Sequence, residues 1–288
     1  MSLHVEPFDG PIGAAITAVD LSQELDELSF ETLVEGWNRH SVLVFRDQRL
    51  TPEQLLRFSR RFGGMEVHVL DQYLHPDHPE ILVVSNIVEN GRHVGIYDAG
   101  KYWHTDLSYM IEPSRGSVLY AIEIPEEDGQ SLGDTLWTST AAAYEALDEP
   151  MRRRLDGLKA AFSLANRFDK LVEDGDQDAA LTDVQKTQTL DVFHPVVRTH
   201  PVTGRKCIFV NEGHTARIVG LTEDESRSLL EELWAHCTRP EFVYRHRWRP
   251  GDVVMWDNVP TQHIAIFDYA LPQRRLLHRT TLTGTRPF

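Results

Sequence analysis

"HIAIFDYALPQRRLLHRTTLTG", residues 263–284, reads as two extended runs folded about a turn. The runs are rich in β-branched and long aliphatic side chains, and "ALPQ" at 270–273 supplies the turn chemistry. Side chains on a strand alternate faces, so Arg275, Leu277 and Arg279 share one side of the second run. Two arginines turned toward an apolar interior are costly unless each meets an anion. Working outward, the same grammar recurs at 41–46, 80–86, 102–109, 117–125, 134–139, 192–201, 205–211, 243–248 and 252–258. "PVTG" at 201–204 and "RPGD" at 249–252 punctuate the later runs. Many short strands separated by turns predict a mainly β fold, an antiparallel barrel or sandwich.

Helices are fewer and are expected to flank that β-core. In 51–63, Thr51 is an N-cap, Pro52 opens the helix, Gln54 closes a capping box and Gly63 stops it. In 221–237, Thr222 and Glu225 form a second capping box, and Leu229, Leu230, Leu233, Trp234 and Cys237 follow helical spacing. Residues 139–157 read as a helical region interrupted near Pro150. The polar, acidic stretch 166–191 reads as a lid-like surface insertion in a single domain spanning 1–288.

Composition narrows the partners. The chain of 288 residues carries a formal net charge of −15, which disfavours nucleic acid and anionic membrane surfaces. A small organic anion is compatible, because a few arginines in a pocket outweigh a distant screened field. The two cysteines, Cys207 and Cys237, form no CxxC and read as buried thiols of a reducing compartment. No basic segment followed by an apolar run opens the sequence, and no apolar stretch reaches 18 residues, so a cytoplasmic protein is expected. Self-association is left open.

"YWHTDLSY" (102–109) is the segment with unusual chemistry. Read as a strand, it projects His104 and Asp106 from one side. Such a pair is weak evidence alone: "HPD" at 75–77 has the same spacing and reads as a solvated turn. His104 and Asp106 differ in having His263, Arg275 and Arg279 downstream. Two histidines and one carboxylate on an octahedral ion leave three positions open, which suits non-haem Fe(II) oxygenases.

At this point "WHTD" (103–106), "GDTLWTSTAAAYEAL" (133–147), "HPVVRTHPVTGR" (194–205), "VNEGHTARIV" (210–219), "WDN" and "TQH" (256–263), and "QRRLLHR" (273–279) stand in one order. The sequence resembles the Fe(II)/2-oxoglutarate dioxygenases of the taurine and phenoxyalkanoate dioxygenase type, TauD/TfdA, from about Phe30 to Phe288. The resemblance implies a double-stranded β-helix, a cupin-like jelly roll. It implies that His104, Asp106 and His263 hold Fe(II) and are the catalytic centre. It further implies that Arg275 and Thr135 bind the far carboxylate of 2-oxoglutarate, that O2 is consumed, and that Arg279, helped by His68, binds an anionic substrate. Sulfonates, sulfate esters and carboxylates all fit that description. The chain departs from the taurine-selective pattern at Gly100, Asp71 and His214, and Leu132 replaces the first of two usual glycines before Asp134-Thr135. These departures argue against taurine itself. Two other readings of the same residues are a zinc hydrolase and a non-catalytic jelly-roll binding protein.

Overall fold

The computed structural model describes residues 3–173, 175 and 190–288. Two facing sheets frame its centre. The larger has eight strands in the order His4–Pro7, Ala14–Thr17, Val42–Phe45, Val253–Asp257, Gly116–Glu123, Leu276–Leu282, His78–Ser85, Leu74–His75. Within this sheet Ala14–Thr17 and Val42–Phe45 pair in parallel and the other neighbouring strands antiparallel. The smaller sheet places Thr135–Ser139 between Val243–His246 and Thr261–Ala265. Trp137, Trp248, Trp256, Leu119, Val84 and Leu277 fill the space between these strands. Burying such side chains contributes roughly 1.5–3 kcal/mol each. The expectation of a mainly β jelly roll with flanking helices therefore holds.

The outer face of the large sheet is covered by helices Glu27–His40 and Pro52–Arg60. The second carries the expected capping box, with Thr51 and Gln54 satisfying one another's backbone amides. The first was not anticipated from the sequence. Asp26 accepts from the Ser29 amide at its start, and Leu33, Gly36 and Trp37 turn inward. A further cluster joins strand Lys159–Phe162 to helix Glu223–Cys237. The region 139–157 is two helices, Thr140–Glu145 and Glu149–Leu155. The break falls before Pro150, where Asp148 caps the second helix through the Met151 amide.

Two strand expectations need correction. The run 192–201 is two strands, Val192–Pro195 and Val197–Thr199. Val196 changes partner between them, bonding Leu158 through its amide and Phe209 through its carbonyl. Residues 102–109 are not a strand but a series of turns touching the smaller sheet at one bridge, His104 to His263. Leu107 has φ 55°, a left-handed value that a continuing strand excludes. Within the expected lid, residues up to Glu173 belong to helix Leu164–Glu173; residues 174 and 176–189 lie outside those described. Among the described residues no helix is long and apolar enough to cross a membrane.

His194 links fold to pH. It is 2% exposed, lies edge-on to Phe162, and bonds through Nε2 to the Met110 carbonyl at 2.9 Å. Burial pushes its pKa down to about 4, against the stabilising bond to Met110. The unfolded chain therefore takes up this proton first, near the ordinary value of about 6.5. Stability is full above that pH and declines as pH falls toward about 4. We expect this histidine to cost on the order of 1 kcal/mol by pH 5. Urea titrations at pH 7.5 and 5 should show a smaller pH-dependent loss in His194→Gln; an unchanged loss would contradict the assignment.

Candidate metal centre

His263 lies in strand Thr261–Ala265, opposite Trp137 in register. The turn segment reaches it through two backbone bonds, His104 amide to His263 carbonyl (3.1 Å) and the reverse (2.9 Å). The Thr105 hydroxyl donates to the Thr261 carbonyl at 3.0 Å and pins the next residue. Two imidazoles 159 positions apart in the sequence thereby lie 4.1 Å apart between centroids. Asp106 follows on the same turn, 4% exposed.

The ring nitrogens are oriented. His104 Nδ1 lies 2.9 Å from the Tyr102 carbonyl, which can only accept, so Nδ1 carries the proton and Nε2 offers a lone pair. Nε2 of His104 is 3.6 Å, and Nε2 of His263 3.9 Å, from the same Asp106 oxygen, Oδ1. A cation making bonds of about 2.1 Å can bridge such separations. The His263 ring is held by Trp256 at 4.9 Å and Trp137 at 6.1 Å. The other Asp106 oxygen accepts from the Ser117 hydroxyl at 2.7 Å. Burial raises the Asp106 pKa, but the charge of Arg279, with help from His263 and His104, overrides it and holds the carboxyl well below its usual range. Burial and the neighbouring His104 push His263 well below the usual imidazole range, against Asp106. The set at neutral pH is a carboxylate with a neutral His263, the protonation that metal binding requires. Among the described residues, His104, Asp106 and His263 are the only such cluster of three or more potential ligands. The "HPD" copy does not join one.

Two cavities meet at this centre. The inner one is walled by Val84, Leu119, Trp137 and Trp256, with Thr135 and Arg275 as its polar groups away from the histidines. Arg275 is 4% exposed. It donates to the Gly133 carbonyl at 3.3 Å, while its buried Nε has no partner among the described residues. Among the described residues no carboxylate stands within ion-pair distance of it. A buried guanidinium left so in an apolar wall suits a dicarboxylate's far end. The outer cavity contains His68, His214 and Arg279 among apolar residues that include Leu70, Ile96 and Phe168. His68 accepts from the Leu70 amide at Nδ1, 3.1 Å. Asp71 is exposed and outside this lining.

Arg279 is placed in a way the sequence did not disclose. Its Nη1 donates to Asp106 Oδ1 at 3.0 Å, and its Nε has no partner among the described residues. It lines both cavities, as do Gly100 and His104. Sequence reasoning also missed Ser117, the Tyr102 carbonyl and Gly133. Gly133 has φ 76°, and a Cβ there would lie 2.9 Å from Arg275 Nε and from the Tyr269 ring. We therefore expect Gly133→Ala to raise the KM for 2-oxoglutarate about tenfold, through strain and a displaced Arg275. A KM within twofold of the parent would show that the guanidinium tolerates the shift.

The sequence matches the family described as taurine catabolism dioxygenase TauD, TfdA family, over residues 4–281. Pentalenolactone F synthase of Streptomyces arenae is 36% identical over 287 residues, covering 96% of this chain and 94% of that protein. The alpha-ketoglutarate-dependent 2,4-dichlorophenoxyacetate dioxygenase of Cupriavidus pinatubonensis is 35% identical over 292 residues, covering 98% of each. The crystal structure of AAD-2 in complex with Mn(II) and N-oxalylglycine superposes with a TM-score of 0.83 at 29% identity, covering 100% of this chain and 99% of that one. Fold and comparisons together define a dioxygenase, an oxidoreductase with a jelly-roll core. The chain belongs to the TauD/TfdA family. This agrees with the expected Fe(II), 2-oxoglutarate and O2, and sets aside the zinc-hydrolase and binding-protein readings.

Proposed function

We propose that this chain is a single-domain Fe(II)- and 2-oxoglutarate-dependent dioxygenase that hydroxylates an organic anion with an apolar body. The observation that carries the proposal is the position of the His104, Asp106 and His263 cluster where the two cavities meet, one offering Arg275 and Thr135, the other Arg279 and His68. When bound, iron with 2-oxoglutarate supplies the oxidising power: O2 places one oxygen atom on the substrate C–H bond and one in succinate as CO2 leaves. His104, Asp106 and His263 would hold the metal. Arg275 and Thr135 anchor the far carboxylate and so aim the keto acid end at the centre. Arg279 offers its remaining donors to the substrate's charged group while Nη1 stays on Asp106. His68, its Nδ1 accepting from the Leu70 amide, lines the same cavity. Leu70, Ile96, Leu107, Leu164 and Phe168 exclude water around an apolar body. N-oxalylglycine is a dicarboxylate of the same length as 2-oxoglutarate, so its presence in the related structure supports this use of the inner cavity.

The Leu70, Ile96, Leu107, Leu164 and Phe168 side of the outer cavity gives an apolar body more to pack against than taurine offers, which favours aryl- or alkyl-substituted carboxylates, sulfonates and sulfate esters. A cytosolic location suits the two free buried thiols. The test is succinate release from the Fe(II)-loaded protein with a panel of these anions and taurine. Stimulation by an aryl or alkyl anion well above that by taurine is expected. Stimulation by taurine alone would overturn the substrate class, and absence of 2-oxoglutarate turnover with every anion would overturn the reaction.

A further inference from the structure

Thr135 and Trp248 form a pair whose polarity is fixed by chemistry. An indole nitrogen can only donate, whereas a hydroxyl has one proton and two lone pairs. Trp248 Nε1 lies 2.9 Å from Thr135 Oγ1, so Thr135 must be the acceptor. Trp248 is fully buried and Thr135 is 4% exposed. No other side-chain hydrogen bond engages this hydroxyl among the described residues. Its own proton is therefore still to be donated, and Thr135 faces the inner cavity with Arg275. Trp248 does not line that cavity.

We propose that Trp248 is a positioning residue for co-substrate binding: its indole N–H occupies a lone pair of Thr135 and turns the hydroxyl into a donor aimed at the far carboxylate of 2-oxoglutarate. The inference rests on the proposed reading of the inner cavity. A free hydroxyl rotor can present either its proton or a lone pair, and a lone pair facing a carboxylate is repulsive. With the indole in place, one lone pair is covered and Thr135 and Arg275 both present donors. The tryptophan is itself held, with His246 edge-on at 4.5 Å and Trp137 at 6.4 Å. Thr135 pairs with His246 in register, two residues before the indole. The small sheet thus sets the distance between donor and acceptor.

The test is equilibrium binding by calorimetry on the Mn(II)-loaded protein under anaerobic conditions, so that no turnover intervenes. Two ligands are compared, 2-oxoglutarate and 2-oxopentanoate, which keeps the chelating end and has a methyl group in place of the far carboxylate. Trp248→Phe is expected to weaken 2-oxoglutarate about 5- to 10-fold, the loss of about one net hydrogen bond. It should leave 2-oxopentanoate within twofold. In a Thr135→Val background the same change should have no further effect. Should the phenylalanine variant fail to fold, 3-benzothienylalanine at position 248 keeps the bicyclic shape, lacks the N–H and carries the same expectations. Equal weakening of both ligands would make Trp248 merely structural and overturn the proposal, as would unchanged 2-oxoglutarate affinity. Failure of the parent protein to bind 2-oxoglutarate at all would overturn both the proposal and the reading beneath it.

Discussion

Arg275→Ala is expected to weaken 2-oxoglutarate binding at least 100-fold while leaving metal affinity within a few-fold. The guanidinium is 4% exposed, and its Nε has no partner among the described residues. Truncation leaves Thr135 as the remaining polar side chain of the inner cavity away from the proposed metal ligands and Arg279. Removing one partner of a buried ion pair typically costs about 3–5 kcal/mol, which is roughly 100-fold or more in affinity. The metal should be spared, because the contacts of Arg275 lie with Gly133, Ser85, Asn86 and Tyr269 and not with the three proposed ligands. Calorimetry with Mn(II), then with 2-oxoglutarate, separates the two affinities. An alanine variant that binds 2-oxoglutarate as tightly as its parent would remove the cofactor assignment altogether.

Asp106→Asn should lower Mn(II) or Fe(II) affinity by more than the roughly 10- to 100-fold that outer partners of a metal ligand typically cost. Two losses combine. Asp106 is the only anionic member of the proposed ligand set. It also neutralises Arg279, whose Nη1 sits 3.0 Å from the oxygen that faces both histidines. An amide leaves that positive charge beside the site without a counter-charge, so repulsion adds to the missing bond. The Ser117 hydroxyl, 2.7 Å from the other oxygen, can still bond an amide oxygen and help keep the side chain in place. Metal titration followed by the paramagnetic signal of free Mn(II) measures the change. Affinity within tenfold of the parent would mean that the three side chains do not share an ion.

The placement of Arg279 connects these expectations. One guanidinium touches Asp106 and lines the cavity proposed for the substrate anion. The sequence supported the second role by alternation along Leu276–Leu282 but gave no sign of the first. Arg275 stands just before that strand and the register shifts between Leu276 and Leu277, yet Arg275 and Arg279 line one cavity. A contact between Arg279 and Asp106, 173 positions apart, depends on how two separate segments dock.

The sequence by itself determined the β-rich fold, the helix caps at Thr51 and Thr222, and the residue types of the site. Strand periodicity, turn chemistry and capping are properties of a few neighbouring residues, so they are written locally. It also brought His104 and Asp106 together, though for a reason that the structure replaces. They meet through a turn with Leu107 at φ 55°, not through the alternation of a strand. Tertiary structure alone decided that this turn docks by one bridge on the strand carrying His263, so that both Nε2 atoms face one carboxylate oxygen. It alone decided that Trp248 donates to Thr135 and that Gly133 must lack a Cβ beside Arg275. Each is a contact across more than a hundred residues, and packing selects it only when the two sheets close on each other.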